Sequence, residues 1–299
     1  MRLFLSSGNP PPLPLNENVR EGFKQMLWGY FMKLCVADRL ASYVDAVYGN
    51  IPQHSGSTLL LASVFYSIQI YCDFAGYSFI AIGAARVMGF RLMENFRRPY
   101  LAKNIKEFWS RWHISLSSWF RDYVYIPLGG NRVSRSRHMG NLLLTFLASG
   151  LWHGANWTFI LWGGIHGMFQ IVETRWLHWT KLQSRRLVIP PFVKIFFTFV
   201  LVNFAWVFFR SPDIKTGWEI MSKIFTSSGP LFIEKESLVL GGLSLLLLVI
   251  KDIADEYEIG VDLLSSKRLA ISNLSVVLLI SFILLFGVLD SSQFIYFQF

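Results

Sequence analysis

Residues 152–167, WHGANWTFILWGGIHG, set two histidines, His153 and His166, among three tryptophans, four glycines and otherwise largely apolar residues. An imidazole with an ordinary pKa near ~6.5 accepts a proton at neutral pH. A histidine in such surroundings is therefore a candidate general base, a role worth roughly 10²–10⁴ in rate. The plain alternative for His153 is a packed ring hydrogen-bonded to a carbonyl. The flanking glycines, Trp152 and Asn156 favour chemistry, because irregular backbone at membrane depth is tolerated only where it is buried in protein or lines a cavity. Asn156, Trp152 and the amides near Gly154 are candidates to stabilise an oxyanion. His166 follows thirteen residues later, about 20 Å away and on nearly the opposite face if the helix between them is straight. The two rings then share a site only if the helix breaks, and His166 is left as a supporting or a structural residue.

A second dense stretch, EFWSRWHISLSSWFRDYVYIPLGGNR, covers residues 107–132. Phe108, Trp112, Leu116, Trp119 and Tyr123 recur at helical spacing and predict one apolar face, while Arg111, Ser115, Ser118 and Asp122 define another. That pattern predicts an amphipathic helix lying in the membrane interface or packed under a bundle. His113, Ser117 and Arg121 align at i, i+4 and i+8. The segment reads either as a surface helix with a solvated His113 or as a polar wall for a phosphate-bearing ligand, with Arg111 and Arg121 offering bidentate anion contacts. Asp73 is a third candidate, the one charged residue between Ser57 and Ala85. A carboxylate at that depth needs a partner. It is expected to orient a histidine, to pair with an arginine of the basic segment, or to cap a broken helix.

The elements that must position these groups are membrane helices. Hydrophobic residues make up 53% of the 299, charged residues only 16%, and mean hydropathy is +0.41, outside the range of soluble domains. A bilayer core of roughly 30 Å needs about 20 apolar helical residues. Residues 270–289 are the clearest span and 192–209 the next, with Lys194 placed to snorkel. Weaker candidates are 57–72, 74–90, 140–152, 155–172, 237–250 and an amphipathic stretch around 23–40, giving six or seven embedded helices. Residues 1–22 read as a proline-rich loop and 23–299 as the membrane domain.

Eleven Lys or Arg stand against three acids between Arg86 and Arg137, nearly the whole net charge of +9. In a polytopic chain this marks the cytoplasmic face, so membrane lipid and not nucleic acid is the expected surrounding. Residues 175–186 are basic as well, so 140–172 reads as a hairpin of two short helices, both ends cytoplasmic, with its turn near Gly150 to Gly154 and His153 at the tip. Cys35 and Cys72 are too far apart in sequence to suggest a disulfide or metal framework, and no metal is expected.

FWSRWHISLSSWFRDYVYIPLGGNR, SGLWHGANWTFILWGGIHG and the closing FIYFQF (294–299) together resemble the membrane-bound O-acyltransferases, in the alginate O-acetylation branch that acylates cell-surface polymers. The resemblance runs from about Phe23 to Phe299. It implies an all-α polytopic membrane protein, a bundle with a re-entrant hairpin and an interfacial amphipathic helix. His153 in LWHG matches the family's catalytic histidine and His113 in RWHISLS its second prominent polar position. The resemblance also implies a cytoplasmic acyl thioester donor such as acetyl-CoA and no bound cofactor. A polysaccharide acceptor, periplasmic acetyltransferase partners and a multi-pass place in the bacterial inner membrane follow from it too. The family carries several more helices ahead of the region matching MLWGYFMKLCVADRL, so part of the bundle is expected outside this chain. It also commonly has an acidic residue where Phe79 stands, which leaves Asp73 as the carboxylate of that region. A transporter or a non-catalytic export subunit is the alternative from another class. No second copy of either long motif is present, although transporters commonly repeat their halves.

Overall fold

A computed structural model describes residues 15–182, 189–259 and 268–289, with Leu264 and Ser266. The chain is helical: α1 Leu15–Tyr30, α2 Asp38–Tyr48, α3 Gly56–Val87, α4 Ile105–Arg111, α5 Ile114–Phe120, α6 Arg135–His153, α7 Trp157–Leu182, α8 Pro191–Arg210, α9 Ile214–Thr226, α10 Gly242–Tyr257 and α11 Leu269–Phe286. Among the described residues there is no strand. Among the described residues four helical stretches are long and apolar enough to cross a membrane: Gly56–Val87, Pro191–Arg210, Ser237–Tyr257 and Leu269–Phe286. The expected proline-rich loop gives way to helix by Leu15, while residues 1–14 and the FIYFQF motif lie outside the described residues. The chain forms two compact units, one of Met1–Asn95 with Ser228–Phe299 and one of Phe96–Ser227.

In the first unit a π-helical turn, Phe31–Ala37, joins α1 to α2. α3 packs along α1 through glycines spaced seven apart on each helix. A Cβ on Gly22 would lie 2.6 Å from the Gly83 carbonyl, and one on Gly29 would lie 2.6 Å from that of Gly76. Small residues let backbones touch, the packing that stabilises helix pairs where no hydrophobic effect operates between them. The expected pair of spans at 57–72 and 74–90 is instead the single 32-residue helix α3, capped by the Ser55 side chain accepting the Thr58 N–H at 3.3 Å.

The helix runs through Asp73 unbroken because the carboxylate has a cation beside it. Lys33, inside the π turn, donates to Asp73 Oδ1 at 2.7 Å and pairs with Asp38 Oδ1 at 2.8 Å, all three side chains being buried. Asp73 thus takes a lysine that the sequence pattern did not single out, and the helix does not break there. Of the apolar windows of the two helices, 78% of that in α3 is inside the protein, against 11% for α11.

In the second unit the amphipathic helix expected through Phe108 and Tyr123 is broken. α4 closes with Trp112 N–H donating to Phe108 C=O at 2.9 Å, and α5 opens with Ser117 N–H donating to His113 C=O at 2.9 Å. Between them His113 takes a left-handed conformation, φ 42°, rare for a residue with a Cβ. The kink lets both Trp112 and His113 turn inward, each under a tenth exposed. A straight helix would set their side chains about 100° apart. The expected polar row of His113, Ser117 and Arg121 is therefore not formed.

α6 and α7 make the expected hairpin. Their 19 and 26 residues correspond to about 28 and 39 Å at ~1.5 Å per residue, longer than the expected arms. Gly163 of α7 seats directly on the α6 backbone at Phe146 and Gly150.

The Lys33 cluster yields a test. Removing one member of a buried ionic group leaves uncompensated charge and costs about 3–5 kcal/mol. Lys33→Met is expected to lower the unfolding midpoint in detergent strongly, and Lys33→Met with Asp38→Asn and Asp73→Asn to recover most of the loss. An unchanged midpoint for the single variant would show that the cluster does not hold α3 to the π turn.

Candidate active site

His153 is the last residue of α6, and the turn after it is specified locally. Gly154 has φ 151°, a conformation that penalises any Cβ, and a Cβ there would also lie 2.8 Å from the Phe159 ring. Asn156 holds the far side of the turn. Its Oδ1 accepts the Thr158 N–H at 3.1 Å, and its Nδ2 donates to the Pro212 carbonyl at 2.8 Å. Both ends of Asn156 are therefore engaged in fixing the turn, which argues against the oxyanion role open to it from sequence.

The His153 imidazole is half-buried and makes no hydrogen bond to any described residue. Aromatic edges surround it: Trp152 at 5.0 Å, Trp162 at 5.2 Å and Phe209 at 5.4 Å between ring centroids, each near perpendicular. Held by shape alone, its ring nitrogens remain available for proton transfer.

His113 reaches the same neighbourhood from the α4–α5 kink. Its ring stacks on Phe96 at 6.4 Å and meets Trp152 edge-on at 6.2 Å, so Trp152 contacts both His113 and His153. Burial pushes His113 down to about 3, and the proximity of His153 adds to the effect. His113 is thus a neutral ring at physiological pH.

His166 is fully buried one turn beyond Trp162 on α7. Trp109 Nε1–H donates to His166 Nδ1 at 3.2 Å, and the Trp162 ring stands 5.2 Å from both His166 and His153. The chain breaks after His153, as a shared neighbourhood requires, and Trp162 connects the two rings. The sequence reading passed over Trp162, Trp109 and Trp206. The i, i+4 spacing of Trp162 and His166 was visible, but in a tryptophan-rich helix it reads equally as core.

A cavity of about 710 Å³ opens beside this cluster. Its α6 wall is the single face His138, Leu142, Thr145, Phe146 and Ser149, a run of about 16 Å along the axis, and Ser149 lies one turn before His153. Lys106, Ser117 and Arg121 line it too, with Gln170 and Glu173 from α7. Glu173 accepts the Ile105 N–H at 2.9 Å, tying the start of α4 to α7. Arg121 reaches the cavity while pairing with Asp122 at 2.7 Å. Arg111 is not among the lining residues; it pairs with Glu107 at 2.6 Å. Asp73 belongs to the first unit. Among the described residues no group of three His, Cys, Asp or Glu is placed to hold a metal ion.

Comparison with known proteins identifies the family. Residues 21–210 match the MBOAT, membrane-bound O-acyltransferase family, a stretch that contains His113, His153, His166 and the cavity. Over 206 residues the chain is 42% identical to "Probable alginate O-acetylase AlgI" of Azotobacter vinelandii, covering 69% of this chain and 40% of that protein. It is 39% identical over 201 residues to "Peptidoglycan O-acetyltransferase" of Helicobacter pylori, covering 67% and 38%. With "Teichoic acid D-alanyltransferase" of Bacillus subtilis it shares 32% over 204 residues, covering 64% and 51%. The chain therefore spans between a third and just over half the length of these curated relatives. It belongs to the membrane-bound O-acyltransferase family.

Proposed function

We propose that this chain carries the acyl-transfer site of an O-acyltransferase, with an acetyl group as the favoured cargo, in the inner membrane of a bacterium. The donor is a cytoplasmic thioester, acetyl-CoA or another acyl thioester, and the acceptor is a hydroxyl of a cell-surface polysaccharide such as alginate, reached directly or through periplasmic acetyltransferase partners. The observation that carries this reading is the unengaged His153 imidazole at the closed end of a hairpin, one helical turn beyond a cavity lined by Lys106 and Arg121.

The chemistry follows from the groups present. Lys106 and Arg121 supply cationic contacts for the phosphates of a donor at the cavity's charged side, and the α6 face from His138 to Ser149 guides its acyl arm toward His153. His153 takes the hydroxyl proton as the oxygen attacks the thioester carbonyl. The tetrahedral intermediate collapses, the C–S bond breaks, and the thiolate recovers the proton from the imidazolium, so one ester and one thiol leave. The aromatic walls restrict water at the thioester and limit its hydrolysis. His113, buried and neutral, limits the charge that gathers beside His153.

Two outcomes test this. In cells whose genomic copy is replaced by the variant, His153→Ala is expected to lower base-releasable acyl groups on the envelope polymer by at least about 10², with the protein accumulating normally because His153 bonds to no described side chain. Wild-type polymer acylation by that variant refutes the assignment. For orientation, single cysteines at the exposed Ser134 or Ser136, in a background lacking the buried Cys35 and Cys72, are expected to resist an impermeant thiol reagent applied to intact cells. Ready labelling from outside would place the donor side of the hairpin on the wrong face.

A further inference from the structure

One face of α7 carries three buried side chains in successive turns, Thr158, Trp162 and His166, each at most 1% exposed. Each bears a polar atom with no hydrogen-bond partner among the described residues: Thr158 Oγ1, Trp162 Nε1 and His166 Nε2. Buried polar atoms of this kind are rare, and each calls for an explanation. Three in a row, with Trp162 beside His153 and the row leading toward Gln170 in the cavity wall, form a polar track in an aromatic interior.

The chemistry of the two nitrogens is decided by their surroundings. An indole N–H donates and cannot accept. His166 Nδ1 accepts the N–H of Trp109, so the neutral ring carries its proton on Nε2, which is also a donor. Two N–H donors without an acceptor suit an oxygen that only accepts, as the carbonyl of an acyl group does. The Trp162 ring is also fixed in place. Trp206 stacks on it at 5.5 Å, Phe209, Trp109 and His166 close other sides at 5.1, 5.7 and 5.2 Å, and Gly163 seats its helix on the α6 backbone. A donor held rigidly in dry surroundings beside a base has the properties of an oxyanion stabiliser, since no reorganisation is needed when charge develops.

We propose that the indole N–H of Trp162, with the Nε2–H of His166 beside it, is the hydrogen-bond donor set for the acyl carbonyl on which His153 acts. This rests on the acyl-transfer reading above and adds a catalytic residue to it. As the hydroxyl oxygen bonds to the carbonyl carbon, the carbonyl π pair moves onto its oxygen, and the two N–H groups donate to the resulting oxyanion. The pair returns as the C–S bond breaks, and the thiolate takes the proton held by His153. Trp109 is a positioning residue, holding His166 in its donor tautomer.

The test measures acetyl transfer from acetyl-CoA to envelope polymer in isolated membranes. Trp162→Phe keeps an aromatic ring and removes the N–H. Incorporation of β-(3-benzothienyl)alanine at position 162 keeps the bicyclic shape and replaces the N–H by sulfur. Both are expected to lower kcat by about 10²–10³, with KM for acetyl-CoA within about threefold of wild type. His166→Gln, which keeps a donor near the Nε2 position, is expected to retain more activity than His166→Leu. A benzothienylalanine protein within threefold of wild-type kcat overturns the proposal even if Trp162→Phe is impaired, because the ring and not its N–H would then be what matters. His153→Ala separates the two readings. If it transfers acetyl like wild type, the acyl-transfer reading fails and this inference with it; if it is inactive while the benzothienylalanine protein is active, only the donor assignment fails.

Discussion

Contact between the backbones of α6 and α7 at Gly150 and Gly163 is the constraint on which the rest of the site depends. A side chain on Gly163 would collide with the Phe146 carbonyl, and one on Gly150 with the Phe159 carbonyl. Because the two helices meet without intervening side chains, the last turn of α6 and the second turn of α7 lie close enough for His153 and Trp162 to share an edge. Separating the helices by the width of even a small side chain would lengthen the contact of His153 with Trp162, and packed interiors do not absorb such shifts smoothly. The turn of Gly154 to Asn156 closes the hairpin, but this seating fixes its register.

The protein handles ionisable groups in its interior in two different ways. In the first unit, charge is kept and matched: Lys33 lies against Asp38 and Asp73, and the π turn is the local distortion that brings the lysine there. π turns within α-helices often mark functional positions; here the turn serves to satisfy a buried cation. In the second unit the buried histidines are packed among aromatic rings, and His113 is kept neutral. A base must be free to change its protonation state, so fixed opposite charges beside it would work against it. The separation of the two styles is consistent with a structural role for the lysine cluster and a chemical one for the hairpin.

Much of this was legible in the sequence, and what was not has identifiable causes. The hairpin, its turn near Gly154 and the place of His153 beside that turn followed from glycine placement and from basic residues on both flanks. Spans α8 and α11 followed from their apolar runs. The single helix α3 was misread as two because Asp73 alone suggests a break, and its remedy, Lys33, lies forty residues away. The amphipathic helix through Trp112 was misread as continuous, since its apolar period is intact and nothing in RWHIS announces a left-handed histidine; that conformation is imposed by burying both Trp112 and His113. Trp162 was hidden for a similar reason, because in a helix already rich in tryptophan only three-dimensional placement distinguishes a ring beside His153 from ordinary core.

The central claim is that a free imidazole at position 153 does the proton transfer, and chemical rescue tests it most directly. In membranes bearing His153→Gly, acetyl transfer from acetyl-CoA is predicted to be lost and then restored in part by added imidazole, with substituted imidazoles restoring it in order of their basicity. Undiminished transfer by His153→Gly without imidazole, or a rescue indifferent to the basicity of the added ring, would contradict the account.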